Sequence, residues 1–179
     1  RAGLPAPPEA EAPVKLLLDT NVVLDVLLER DPFAAPARRL WALVESGKVE
    51  GVLAAHTVTT VWYLAAEART RVFAREVVSL VAEVFGVAGV DGGVVRRALR
   101  LDFADFEDAV CAAAAEGAGC DLLVTRNGKD YRQSPVAAVD PMTALALIAG
   151  GGPKGVSEGL GRYRGRRKAG TVRSRPDRT

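Results

Sequence analysis

Five acidic side chains and one amide stand where a shared ligand would need them. Asp19 follows the apolar run Val14–Leu18, Asp105, Glu107 and Asp108 crowd the start of an Ala-rich segment, and Asn127 and Asp130 follow the apolar run Leu122–Val124. Two carboxylates ~5 Å apart repel by about 3 kcal/mol at an effective dielectric of about 20, so several together need a cation or protons to be tolerated. Carboxylate oxygens without a Cys or His cluster suit a hard ion, Mg2+ or Mn2+. Such an ion can orient a phosphate, lower the pKa of an attacking water and stabilise a leaving oxygen. Phosphodiester hydrolysis is the chemistry this set would perform.

The spacing refines the set. Asp105 and Asp108 are i, i+3 neighbours and share a helix face. Glu107 stands roughly 200° of helix rotation from Asp105 and is expected to point elsewhere. Each piece also has a plainer reading. Asp19-Thr20-Asn21 after a strand is a run of good helix caps. The acidic run 102–108 reads as capping with favourable dipole charge. Asn127-Gly128 is a turn signal in any fold. His56, Trp62 and Tyr63 read as structural or surface residues.

The elements that must position these groups follow from apolar patterning. Short apolar runs at 14–18, 51–54, 87–90, 122–124 and 136–139 are read as strands, the run at 87–90 being the weakest. Between them, segments from 20 to about 28, 36–46, 57–68, 74–85, 91–99, 106–117 and 141–149 are read as helices. Gly47 is the stop signal of the second, Asp102 or Asp105 the cap of the sixth, and Pro141 the first turn of the last. Strands alternating with helices predict an α/β fold, a parallel sheet with helices on both faces. In such sheets ligands bind beyond the carboxyl ends of the strands, which is where these acids recur.

Composition sets the outer bounds. The chain has 179 residues, enough for one domain with a full core. Aromatics make up 6%, and aliphatics dominate. The net charge of +2 conceals an uneven distribution: residues 1–150 carry 15 Lys and Arg against 20 Asp and Glu, and residues 151–179 carry 9 against 2. Residues 1–13 are expected to be a disordered leader, 14–149 the folded domain, and 150–179 a disordered basic Gly/Arg-rich tail. Cys111 and Cys120 form neither a CxxC pair nor a disulfide framework, which predicts a reducing compartment. With His56 the only histidine, the two cysteines and one histidine fall short of the four ligands of a structural zinc site, which is therefore not expected. No run of 18 apolar residues and no signal peptide are seen, so the expected location is the cytoplasm, with no membrane contact.

The order of the motifs carries a resemblance. LLLDTNVVLDVLLERDPF, HTVTTVWYL, DFADFEDAVCAAAAEGAGCDLLVTRNGKDY and SPVAAVDP together resemble the PIN-domain family over about residues 14–148. The likeness implies a three-layer α/β/α fold with a five-stranded parallel sheet, acids at its carboxyl edge, and Mg2+- or Mn2+-dependent ribonuclease activity. Many bacterial members resemble VapC toxins, often homodimeric and inhibited by an antitoxin protein. Carried over by motif, Asp19 matches the first family carboxylate with Asn21 beside it. Asp108 matches the acid at the start of the later helix, with Asp105 and Glu107 as further acids. Asn127 and Asp130 complete the set, and Asn21 and Thr125, the hydroxyl at the strand end, are expected to support the acids or water. Metal contact is expected of Asp19, Asp105, Glu107 and Asp108, and phosphate contact of Arg126 and Lys129. One departure stands out. Where many relatives have a Glu, this sequence has Thr60, a far weaker metal donor, and Glu67 lies two turns away. A weakened module that binds RNA or a protein partner without cutting is therefore the alternative expectation. A haloacid-type DxD is absent after the first strand.

Overall fold

The structure is a computed structural model that describes residues 12–151 and residue 160. The expected leader and basic tail lie outside the described residues except at 12–13, 150–151 and 160. The elements run β1 (Val14–Leu18), α1 (Thr20–Leu27), α2 (Ala34–Glu45), β2 (Val49–Ala54), α3 (Ala55–Ala68), α4 (Arg71–Val84), β3 (Gly86–Ala88), α5 (Gly92–Ala98), α6 (Phe106–Gly117), β4 (Leu122–Val124), β5 (Ala138–Val139) and α7 (Pro141–Ala149). The five strands form one sheet in the order β3-β2-β1-β4-β5. Every pairing is parallel, with Leu16 opposite both Gly51 of β2 and Leu122 of β4. The predicted α/β architecture and strand count therefore hold.

Side chains alternate across the sheet, and the two faces bury different layers. Leu16 and Leu18 of β1 pack with α1, α2, α3, α4 and α7 through residues such as Val22, Leu40, Trp41, Val61, Val81 and Ala144. Leu17 faces the other way, into a smaller core with Cys111, Ala112 and Ala115 of α6. Alanines on that helix let it lie close to the strands, and α5 packs on its far side through Ala98, Val94 and Ala113. The central strands are buried on both faces, which explains why they read as continuous apolar runs rather than as alternation.

Helix boundaries follow local chemistry. Gly47 and Gly119 adopt positive φ, both +67°, just beyond α2 and α6, where an L side chain would be strained. Helix α2 begins at Ala34, two residues before the expected start, because Pro36 falls within the first turn, whose amides have no helical partner anyway. Asp140 caps α7, accepting from the Met142 and Thr143 amides, both at 3.0 Å. Burial pushes its carboxyl upward, but the Thr143 hydroxyl and these two amides outweigh burial and hold it below the ordinary range. Because the folded pKa is depressed, the cap's contribution is present above the ordinary carboxylate pKa and is lost as pH falls through the folded value. Asp140→Ala is expected to cost about 1 kcal/mol in urea denaturation at pH 7, and a loss that stays undiminished well below pH 3 would contradict this account.

Candidate functional site

The chain leaves β1, builds β2 and β3 on one side, and returns to place β4 and β5 on the other. The carboxyl ends of β1 and β4 therefore bound the topological switch point, the crevice where open α/β sheets bind ligands. Asp19 stands at the end of β1 and Thr125 at the end of β4, their backbones joined by the Asp19 amide donating to the Val124 carbonyl at 2.9 Å.

Asp19 occupies the N-cap position of α1 but makes no side-chain capping bond. The plain capping reading therefore fails for its carboxylate, which turns toward the crevice instead. Its Oδ2 accepts from the Thr125 hydroxyl at 2.7 Å and from the Asn21 amide group. Asn21 also donates to Thr125 Oγ1 at 3.1 Å and accepts from the Arg126 amide at 3.2 Å. The Asn127 amide closes the network on Thr125 Oγ1 at 3.0 Å. Asp19 is 8% exposed and Thr125 fully buried, so these bonds hold one carboxylate orientation with little competition from water.

Asp108 lies in the first turn of α6, half-buried, and its Oδ1 accepts from the Tyr131 hydroxyl at 3.0 Å. Tyr131 is itself buried and packs edge-on against Phe103, with ring centroids 5.8 Å apart. Burial holds Asp108 above the ordinary carboxylate range against the Tyr131 bond, and the charges of Asp19, Asp105 and Asp130 push it further up. Burial likewise raises Asp19, the Glu107 charge adds to that, and the Thr125 and Asn21 bonds oppose it. Every charged neighbour that perturbs these two carboxylates is itself acidic. The crevice thus carries negative charge that no side-chain cation offsets among these neighbours.

The remaining expected residues fall into two groups. Glu107, read from helix rotation as pointing elsewhere, is exposed but close enough to influence Asp19, and lies 3.8 Å from His56 Nε2. Asp105 instead caps α6, accepting the Glu107 amide at 2.7 Å. It sits outside the regular turn, so the i, i+3 argument does not govern where its carboxylate goes. Its charge reaches Asp108 but is absent among the causes acting on Asp19. Asp130 is exposed, its amide donating to the Asn127 carbonyl at 2.8 Å across the turn. Lys129 is exposed on that turn, whereas the Arg126 side chain is directed to Asp25, its Nε 3.2 Å from Oδ2. Thr60 is half-buried on α3.

Two side chains here escaped the sequence reading. Tyr131 fixes Asp108, and nothing in its spacing announced that. His56 lies in the first turn of α3, directly after β2, and burial lowers its pKa while Glu107 and Asp108 pull it up. Its position just past a strand's carboxyl end was the available signal. No three His, Cys, Asp or Glu side chains among the described residues stand close enough together to hold an ion as placed. Asp19 and Asp108 nevertheless fit a hard divalent cation in donor chemistry and in unbalanced charge. Mg2+ commonly takes only one or two protein carboxylates and fills its other positions with water and phosphate.

Comparison with known proteins agrees with this architecture. The family model described as a PIN domain matches residues 15–129. The chain belongs to the PIN-domain family. No curated protein sequence gives a significant match. Among solved structures, the chain is similar to VapBC2 from Rickettsia felis bound to a promoter DNA fragment, with a TM-score of 0.56, 12% identity, and coverage of 71% of this chain and 98% of that one. It is also similar to a toxin–antitoxin complex from Klebsiella pneumoniae, with a TM-score of 0.55, 23% identity, and coverage of 70% and 97%. VapC20 of Mycobacterium tuberculosis, described as a sarcin-ricin loop cleaving toxin, gives a TM-score of 0.50, 21% identity, and coverage of 60% and 86%. At these identities the likeness concerns the fold. No helix among the described residues is long and apolar enough to cross a membrane.

Proposed function

We propose that this PIN domain is a metal-dependent endoribonuclease acting as the toxin of a toxin–antitoxin pair, or in RNA processing. The observation that carries this reading is the pairing of Asp19 and Asp108. They come from different elements, each accepts from a buried hydroxyl donor, and the Asp19 charge acts on Asp108. Asp19 and Asp108 would hold Mg2+ or Mn2+, with Glu107, Asp105 and Asp130 adding to the negative charge that favours a cation there. The bound ion would supply polarisation of the phosphate and activation of water. The chain's own residues do the rest. Thr125 and Asn21 orient Asp19, and Tyr131 orients Asp108. Asn127 stands beside them at the rim, and exposed Lys129 is free to meet the RNA backbone. A protein partner of antitoxin type and self-association follow from the same likeness. Exposed Tyr63 and Val72, beside Trp62 and among Glu67, Arg71 and Arg75, form a mixed surface that such a partner would cover.

A second reading, RNA or protein binding without cleavage, is favoured by one specific finding: no three carboxylates converge among the described residues, in line with the expected departure at Thr60. Cleavage of a labelled structured RNA pool in Mg2+ or Mn2+, with and without EDTA, separates the two. Cutting that stops with EDTA and falls by at least ~100-fold in Asp108→Asn supports the nuclease. Binding without cutting in either metal supports the module.

A further inference from the structure

The expected phosphate contact Arg126 is engaged inside the protein. Its Nε lies 3.2 Å from Oδ2 of Asp25, a carboxylate with no exposed surface. Neither Asp25 oxygen nor Arg126 Nε has a hydrogen-bond partner among the described residues, so the two meet as an ion pair at contact distance, and the Arg30 charge also acts on Asp25. The guanidinium also lies over the Phe33 ring, 4.5 Å from its centroid, which covers it from solvent on one side. Asn21 and Asp25 are i, i+4 neighbours and so share one face of α1. Asn21 takes the Arg126 amide and contacts Thr125, and Asp25 takes the Arg126 side chain. One helix face therefore grips two consecutive residues at the end of β4, immediately before the turn that carries Asn127, Lys129 and Asp130.

We infer that Arg126 is a positioning residue: clamped by Asp25 and Phe33, it locks the segment after β4 onto α1 and so sets the geometry of Asp19, Asn127 and Asp130. The effect on RNA cleavage rests on the proposed nuclease reading, whereas the clamp itself does not. With its Nε turned to a fully buried carboxylate and its guanidinium over Phe33, Arg126 holds the segment rather than reaching out for phosphate. Removing one partner takes away the ion pair that ties the segment to α1, so the segment opens more often.

The test is hydrogen–deuterium exchange of the full chain, read on peptides spanning 126–131 and, as a remote control, on α4, together with RNA kinetics. Asp25→Asn changes no atom of the segment itself and cannot touch substrate. Arg126→Gln removes the other partner, and Phe33→Leu, at a half-exposed position, is the milder variant should either fail to fold. Both charge variants are expected to speed exchange of the segment by about 100-fold with α4 unchanged, and Phe33→Leu by a smaller factor. Their kcat should fall by roughly 10- to 100-fold with KM for RNA nearly unaltered, as for a misplaced site. The double variant should be no worse than the more affected single one. Normal exchange in Asp25→Asn would overturn the clamp. So would an Arg126→Gln protein with normal kcat, raised KM and unchanged exchange, which would return Arg126 to phosphate binding. If the parent itself does not cut RNA, the nuclease reading fails, and exchange alone still decides the clamp.

Discussion

Asp19→Asn is expected to lose RNA cleavage by roughly 1000-fold, the scale of several kcal/mol of lost charge stabilisation, while making the metal-free protein more stable at neutral pH. Both effects have one origin. The Asp19 carboxylate is buried, its pKa is raised by burial and by Glu107, and the Thr125 and Asn21 bonds do not cancel this. The folded protein therefore holds the Asp19 proton more tightly than the unfolded chain does. Between the unfolded and folded pKa values the folded state binds more protons, so stability falls as pH rises through that window. Above the folded pKa the full cost of burying the charge is present, and well below the ordinary pKa of 3.8 it is absent. Asparagine has nearly the same shape and never ionises. In EDTA, the melting-temperature advantage of Asp19→Asn should be near zero around pH 3 and grow to a plateau at higher pH. Mn2+ should narrow the advantage, because only the parent has the charge to bind it. An advantage independent of pH would show that the carboxylate is not strained by its burial, and undiminished cleavage would remove Asp19 from the site.

Gly51→Val is the second large effect, this time on stability alone. By β-propensity a valine in the middle of β2 should help, since glycine weakens strands. The packing reverses that expectation. A Cβ at Gly51 would lie 2.7 Å from Phe85 Cδ1 and 2.7 Å from both Val44 methyls. Neither neighbour can retreat easily. Phe85 is 3% exposed and packs edge-on against Trp41 with centroids 4.8 Å apart, and Val44 belongs to the same core. The missing side chain is thus what lets α2 and the end of α4 close over the sheet. Overpacking at such a site costs about 3 kcal/mol, a drop of about 10 °C in melting temperature for a domain of this size. Gly51→Ala should move the same way by less. Thermal and urea unfolding measure both, and a neutral or stabilising Gly51→Ala would show that the core yields more readily than these distances imply.

The difference between legible and hidden features runs along a physical line. The runs Val14–Leu18 and Leu122–Val124 were readable as buried strands because both of their faces must avoid water, whatever the final topology. Helix stops were readable where local chemistry decides them, as at Gly47 and Pro141. β5 was harder: the apolar stretch 136–139 contains only two residues, Ala138 and Val139, that join the ladder. How far an edge strand extends depends on its partner, here the three residues of β4. At the site, the position of Asp19 after β1 was readable because parallel sheets place ligands at that edge. The fates of Asp105 and Glu107 were not. Helix rotation assumes regular geometry from the first residue, and Asp105 stands outside it as the cap.

From the sequence alone came the α/β class, the family likeness, the carboxylates at the strand ends and the departure at Thr60. All of these rest on local patterning or on motif order, which survive without knowledge of any distant contact. Thr125 was expected to support the acids, but only the tertiary structure could decide that its hydroxyl bonds Asp19, 106 positions away, that Asp108 leans on Tyr131, and that Arg126 Nε lies against Asp25. The direction of a long side chain is settled by whichever opposite charge, ring or donor the fold brings within a few ångströms. That choice is made between residues that have no regular relation along the chain.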